Sequence, residues 1–271
     1  QDLRSSAIAR FKDLGLPTAR RGNEEWKYTN IGPLARVPFQ HSIPGAESRI
    51  SSSDLESFTF GEEEWSQLVF LDGIFRKDLS STHNLPEGVI VTQLATAMVD
   101  EETLVQEHLA NYAEYETKAL TALNTAFLHD GAFVRIPDEI SIINPIHLLF
   151  LTTGLKEKVV SYPRVLILAG RYSKATVIES YGGVGSNVYF TNAVAEIFLG
   201  DSSTLNYYKV QRQAANAYHI MTTQVTLGRD SHLSSVNVDL GGSLVRNNLN
   251  VVTAEEGASC MLNGVYLITG S

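Results

Sequence analysis

Metal ligation is the first chemistry that the residue types suggest. The chain carries seven histidines, His41, His83, His108, His129, His147, His219 and His232, and one cysteine, Cys260. None forms the His-x-His or His-x-x-x-His spacing of a common zinc site, and no second cysteine exists to complete a thiolate pair. Residues one turn of a stacked-coil fold apart could still meet. His219 and His232 are 13 residues apart, and Ser243 and Cys260 are 17. The simpler readings are a strand histidine that is hydrogen-bonded or exposed, and a cysteine filling a small apolar niche.

Acid–base chemistry comes next. Asp201 and Asp230 fall 29 residues apart in matching turns. Two carboxylates on one edge could cleave a glycosidic bond, but aspartate is also an ordinary residue of a tight turn, and that reading is preferred. No Gly-x-Ser-x-Gly elbow is present. Gly182-Gly183-Val184-Gly185 lacks a following Lys-Ser/Thr and runs into strand-like sequence, so it is neither a P-loop nor a dinucleotide fingerprint. These patterns assign no catalytic, cofactor-binding or metal-binding residue, and they favour a scaffold or interaction role over an enzyme.

The composition sets the frame. With 271 residues, 44% hydrophobic and 19% charged, the chain can bury a sizeable core and is not disordered. Its formal charge of -9 repels phosphate backbones, so no nucleic-acid partner is expected. The longest apolar runs fall far short of the ~20 residues that span a bilayer, so no integral membrane segment is expected. A single cysteine excludes an internal disulfide and suits a reducing, intracellular compartment. The chain opens Gln-Asp-Leu-Arg without a methionine, so a trimmed or leader-processed start is expected.

Elements are read from periodicity. Ala7, Ile8, Phe11 and Leu14 share a helical face, with Gly15 and Pro17 as the stop. A charged stretch with two aromatics occupies residues 20–29, and a loop containing Pro33, Pro38 and Pro44 runs to about Ser57. Residues 68–76 predict a hairpin turning at Asp72-Gly73, and Val89–Thr92 a short strand. A helix is predicted from Glu101 to Leu128, with Val105, His108, Leu109 and Tyr112 on one stripe and Leu120, Leu123 and Phe127 on another. This helix is expected to cap the upstream end of the β-rich second half.

The second half repeats. Gly170, Gly200 and Gly228 each open a Gly-x-x-Ser-x-apolar turn, 30 and then 28 residues apart. Gly241-Gly242-Ser243 and Gly257-Ala258-Ser259 continue at about half that step. Such a recurrence suits either stacked β coils or a sandwich with similar turns. In the coil reading, Val236, Val238 and Leu240 face inward, with Asn237 and Asp239 opposite.

Several segments resemble the SufB/SufD family of the SUF iron–sulfur cluster assembly system, on its SufD side. They are Arg20-Arg21-Gly22-Asn23-Glu24-Glu25-Trp26-Lys27-Tyr28-Thr29 after Leu16-Pro17, Tyr162–Ile167, Phe190–Val194 and Leu240–Asn247. The resemblance implies a mainly β protein, a right-handed parallel β-helix over 129–271 preceded by a small helical and mixed α/β region over 1–128. It implies a non-catalytic scaffold that pairs with a SufB-like subunit or a second copy of itself and binds the SUF ATPase subunit, a SufC-like ABC-type protein. No cofactor is expected on this chain alone, and an iron–sulfur cluster is expected only transiently in the complex. The SufB-like pattern carries cysteine where this chain has Ser243, and a thiolate is the expected iron ligand. The family's Cys-Ser-His-Gly segment and its ATPase-contacting C-terminal helices have no counterpart here, so ligand and docking residues are not carried over. Location in the cytoplasm, or in the plastid stroma after leader removal, is expected. The alternatives are a carbohydrate-active β-helix enzyme and a purely structural β-helix. Ser271 is expected to be an artificial or proteolytic end, leaving the last coil with Cys260 frayed or paired with another chain.

Overall fold

The structure, a computed structural model, describes residues 2–19, 23–41, 49–61, 64–83, 85–154 and 158–267. Arg20, Arg21 and Gly22 of the signature stretch, Pro44 and residues 268–271 lie outside the described residues. In chain order, α1 (Asp2–Leu14), a 3-10 turn (Glu24–Trp26), α2 (Gly32–Ala35), β1 (Gln40–His41) and α3 (Ser52–Glu56) precede β2 (Ser66–Leu71) and β3 (Ile74–Phe75). Asp72 and Gly73, at φ 51° and 82°, turn β2 into β3, as a two-residue primed hairpin requires.

Next come β4 (Ile90–Gln93), α4 (Leu94–Asp100), α5 (Glu102–His108) and α6 (Ala119–Ala126). The single helix expected over 101–128 is therefore interrupted. Ala110 takes φ 62°. The N–H groups of Ala110, Tyr112 and Ala113 donate at 2.9, 3.0 and 2.9 Å to the carboxylate of Glu196, more than eighty residues away. A remote acceptor thus takes the donors that a continuous helix would use itself.

The remaining strands are β5 (Gly131–Ile136), β6 (Ile146–Thr152), β7 (Val159–Ser161), β8 (Arg164–Ala169), β9 (Lys174–Gly183), β10 (Tyr189–Leu199), β11 (Thr204–Arg212), β12 (Tyr218–Leu227), β13 (His232–Asp239), β14 (Leu244–Thr253) and β15 (Ser259–Tyr266). They form a parallel β-solenoid. One sheet stacks β5, β8, β10, β12 and β14, and the other stacks β2, β6, β9, β11, β13 and β15, all in parallel register. β2 lies ahead of residue 129 in sequence yet pairs with β6, so the sheets draw strands from both sides of that point.

The core lies between the sheets, where like residues stack coil over coil. Val134, Ile167, Ile197, Val225 and Val251 occupy one rung of the first sheet, and all but Val251 are buried. The Gly-x-x-Ser turns also stack. Tyr172, Ser202 and Asp230 take φ 57°, 57° and 53° at matching positions. Their glycines are forced by crowding: a Cβ on Gly170 would lie 2.6 Å from the Asp138 backbone nitrogen, and one on Gly228 2.9 Å from the Leu199 carbonyl oxygen.

Two expectations are corrected. First, the segment 101–128 does not cap the upstream end: α6 sets Leu120 against Val160, Phe190 and Ile220 on the outside of the first sheet, and neither α5 nor the preceding α4 covers that end. They pack on the outside of the first sheet, where Leu94, Ala97 and Val105 meet Phe133, Leu166 and Leu168. Phe75, Leu85 and Val89 pack against the interior cluster instead. Second, Val236, Val238 and Leu240 face outward. Leu233 and Ser235, 0% and 3% exposed, set the inward parity of β13, which brings Asn237 and Asp239 inside. Every residue of β15, Cys260 included, is exposed.

Candidate functional site

The inward alternation of β9, β11 and β13 builds an ionisable cluster inside the solenoid. On one rung Leu148 is followed by Glu179, Lys209 and Asn237. On the next, Phe150 is followed by Tyr181, Gln211 and Asp239. Strand alternation alone aims these side chains at one another.

Glu179 is completely buried and accepts hydrogen bonds from the hydroxyls of Tyr181 and Tyr207. Lys209 donates to Asp239 Oδ1 at 2.9 Å and to Asn247 Oδ1 at 2.6 Å. Asn247 and Asn237 donate to Asp239 Oδ2 at 2.7 and 2.5 Å. Gln211 links to Gln213 at 3.4 Å, and Gln213 to Thr191 at 2.8 Å. His219 packs edge-on to Tyr181, ring centres 4.7 Å apart, and neither ring nitrogen has a partner.

Burial sets the charges. It raises the Glu179 carboxyl above its usual range, although both tyrosines and Lys209 oppose the shift. It lifts Tyr181 and Tyr207 well above ordinary phenol values. It lowers Lys209 against the pull of Asp239, and holds His219 well below its ordinary value, as a neutral ring. The tyrosines therefore stay protonated donors and Glu179 is their acceptor. The network ties three successive coils together at one corner of the interior.

A second buried pair works on the outside of the other sheet. Arg164 and Glu196, both 0% exposed, pair directly, and Arg164 also donates to Asn124 Oδ1 and Thr125 Oγ1 of α6 at 3.1 and 3.2 Å. Glu196 thereby holds both the sheet arginine and the backbone between α5 and α6. Nearby, the signature stretch is fixed by Arg246. Its guanidinium lies 4.0 Å from the centre of the Trp26 ring and donates to Thr29 Oγ1 at 2.9 Å. Glu25 pairs with Lys118 at 2.7 Å and lies 3.9 Å from Arg246.

The residues singled out from sequence are not brought together. His219 is inside β12, whereas His232 faces outward on β13 and meets Ser259 at 2.9 Å. Cys260 aligns with Leu233 in one sheet, while Ser243 lies in the turn before β14 in the other. Asp201 accepts the Arg229 N–H at 3.1 Å as a turn-to-turn link, and Asp230 provides the left-handed turn residue. Among the described residues, no group of three or more His, Cys, Asp or Glu is placed to hold a metal ion, and no helix is long and apolar enough to cross a membrane. The sequence reading missed Glu179, Lys209, Asn247, Arg164 and Glu196. The available signal was parity: Leu205, Tyr207, Lys209 and Gln211 share a face, as do Ala175, Val177, Glu179 and Tyr181.

Comparison with known proteins agrees with this architecture. Residues 1–148 match the SufBD protein N-terminal region, and residues 150–271 match the SUF system FeS cluster assembly SufBD core domain. An iron–sulfur cluster assembly SufBD family protein of Synechocystis sp. is 31% identical over 98% of this chain and 59% of its own length. The chloroplastic protein ABCI7 of Arabidopsis thaliana is 23% identical over 88% of this chain and 50% of its own. A SufBD family protein of Staphylococcus haemolyticus is 26% identical over 64% of this chain and 37% of its own. The chain therefore spans from about a third to three fifths of the length of these relatives.

Proposed function

The chain belongs to the SufBD family of iron–sulfur cluster assembly proteins, and from that premise we propose that it is a non-catalytic scaffold of the SufD type. It pairs with a SufB-like subunit or a second copy of itself and engages an ABC-type ATPase. The iron–sulfur cluster is the cargo of the assembled complex, passing through it transiently. The reading places the protein in the cytoplasm or, like a relative named as chloroplastic, in a plastid.

One observation supports the scaffold reading most. The buried ionisable groups of the solenoid, Glu179, Lys209 and Asp239, hold coils together, while an apolar row faces outward. Val210, Val238 and Val265 are consecutive partners across β11, β13 and β15. Val265 is 55% exposed and the adjacent Leu240 42%, while Val210 and Val238 are partly exposed. Exposed apolar rows on a sheet face suit protein docking. Ser243, in place of the thiolate expected on the SufB side, supports the SufD assignment.

Co-expression of the full-length protein with a SufB-like subunit and the SUF ATPase tests this. A stable complex is expected, with no cluster retained by the isolated protein after anaerobic reconstitution, read by visible absorption. Failure to form any complex, or a stoichiometric cluster on the isolated monomer, contradicts the reading.

A further inference from the structure

We draw no further inference here: the strongest candidate, the outward apolar patch of the second sheet around Val236, Val238, Leu240 and Val265, belongs to the row already read as a docking surface, and nothing in the structure shows what covers it.

Discussion

The upstream and downstream coils of the solenoid use the same rungs for different chemistry. Upstream, Phe70 stacks on Phe150 at 4.7 Å and Phe150 on Tyr181 at 5.3 Å, and the neighbouring rung holds Leu68 and Leu148. Downstream, those rungs carry Glu179, Lys209 and Asn237, and Gln211 and Asp239. The outer surface changes in the opposite sense. Upstream, Val69, Leu71, Leu149 and Leu151 lie outward but are buried under Ile50, Leu55, Phe58 and Leu79. Downstream, the outward Val238 and Leu240 belong to none of these buried clusters. An apolar interior holds any two coils together, whereas a hydrogen-bonded polar interior fixes which residues must align. The downstream coils add this polar network to their apolar core and leave Leu240 and Val265 exposed.

Removing charges and rings from each region tests that contrast. The largest effect is expected from Arg164→Met, which strands the buried Glu196 and detaches α6. A loss of about 3–5 kcal/mol in denaturant unfolding is expected, and no loss contradicts the assigned pairing. Phe150→Ala, in the stacked upstream rung, should cost about 3–4 kcal/mol. Lys209→Met should cost about 2–4 kcal/mol because Asp239 is left without its cation. Adding Asp239→Asn should restore much of that loss, whereas no second change at the polar rungs should rescue Phe150→Ala. Additive losses at 209 and 239 would show that the two groups do not interact.

The pH dependence separates the regions further. Burial holds His147 at about 3, below its ordinary 6.5, and lowers His219 as well. The folded state then binds fewer protons than the unfolded one, so both contribute stability that is lost as pH falls below about 6.5. Glu179 works in the reverse direction. Its folded value lies above the ordinary 4.5, so its contribution is greatest in acid and is lost as pH rises through the shifted range. Glu179→Gln should flatten only that second limb, seen as melting temperature against pH, while His147→Gln should flatten the acid limb. The smallest effect is expected from Cys260→Ser. The residue is exposed on β15, and the change should stay within about 0.5 kcal/mol.

The repeat of Gly-x-x-Ser turns was legible but left stacked coils and a sandwich both open, and only the family resemblance pointed to the β-helix; in the structure each repeat supplies the left-handed turn residue and the crowded glycine of one coil. The hairpin at Asp72-Gly73 was legible for the same local reason. The helix break after His108 was not, since its cause is Glu196, far off in sequence. The facing of β13 was misread because Val236, Val238 and Leu240 look like a buried stripe, and the partners that make Asn237 and Asp239 welcome inside lie on other strands, Lys209 and Asn247. The polar interior cannot be recognised one strand at a time, because its charges balance only once the coils are stacked.

The most direct test is thiol labelling of single-cysteine variants in a Cys260→Ser background, at Leu233, Ser235, Val238 and Leu240, for the protein alone and in complex with a SufB-like subunit and the ATPase. Protection is expected at 233 and 235 throughout, with rapid labelling at 238 and 240 in the free protein and slowed labelling at 238 and 240 in the complex. Protection at 238 and 240 with rapid labelling at 233 and 235 in the free protein would contradict the inverted facing. Unchanged rates at 238 and 240 on assembly would contradict the docking role of that row.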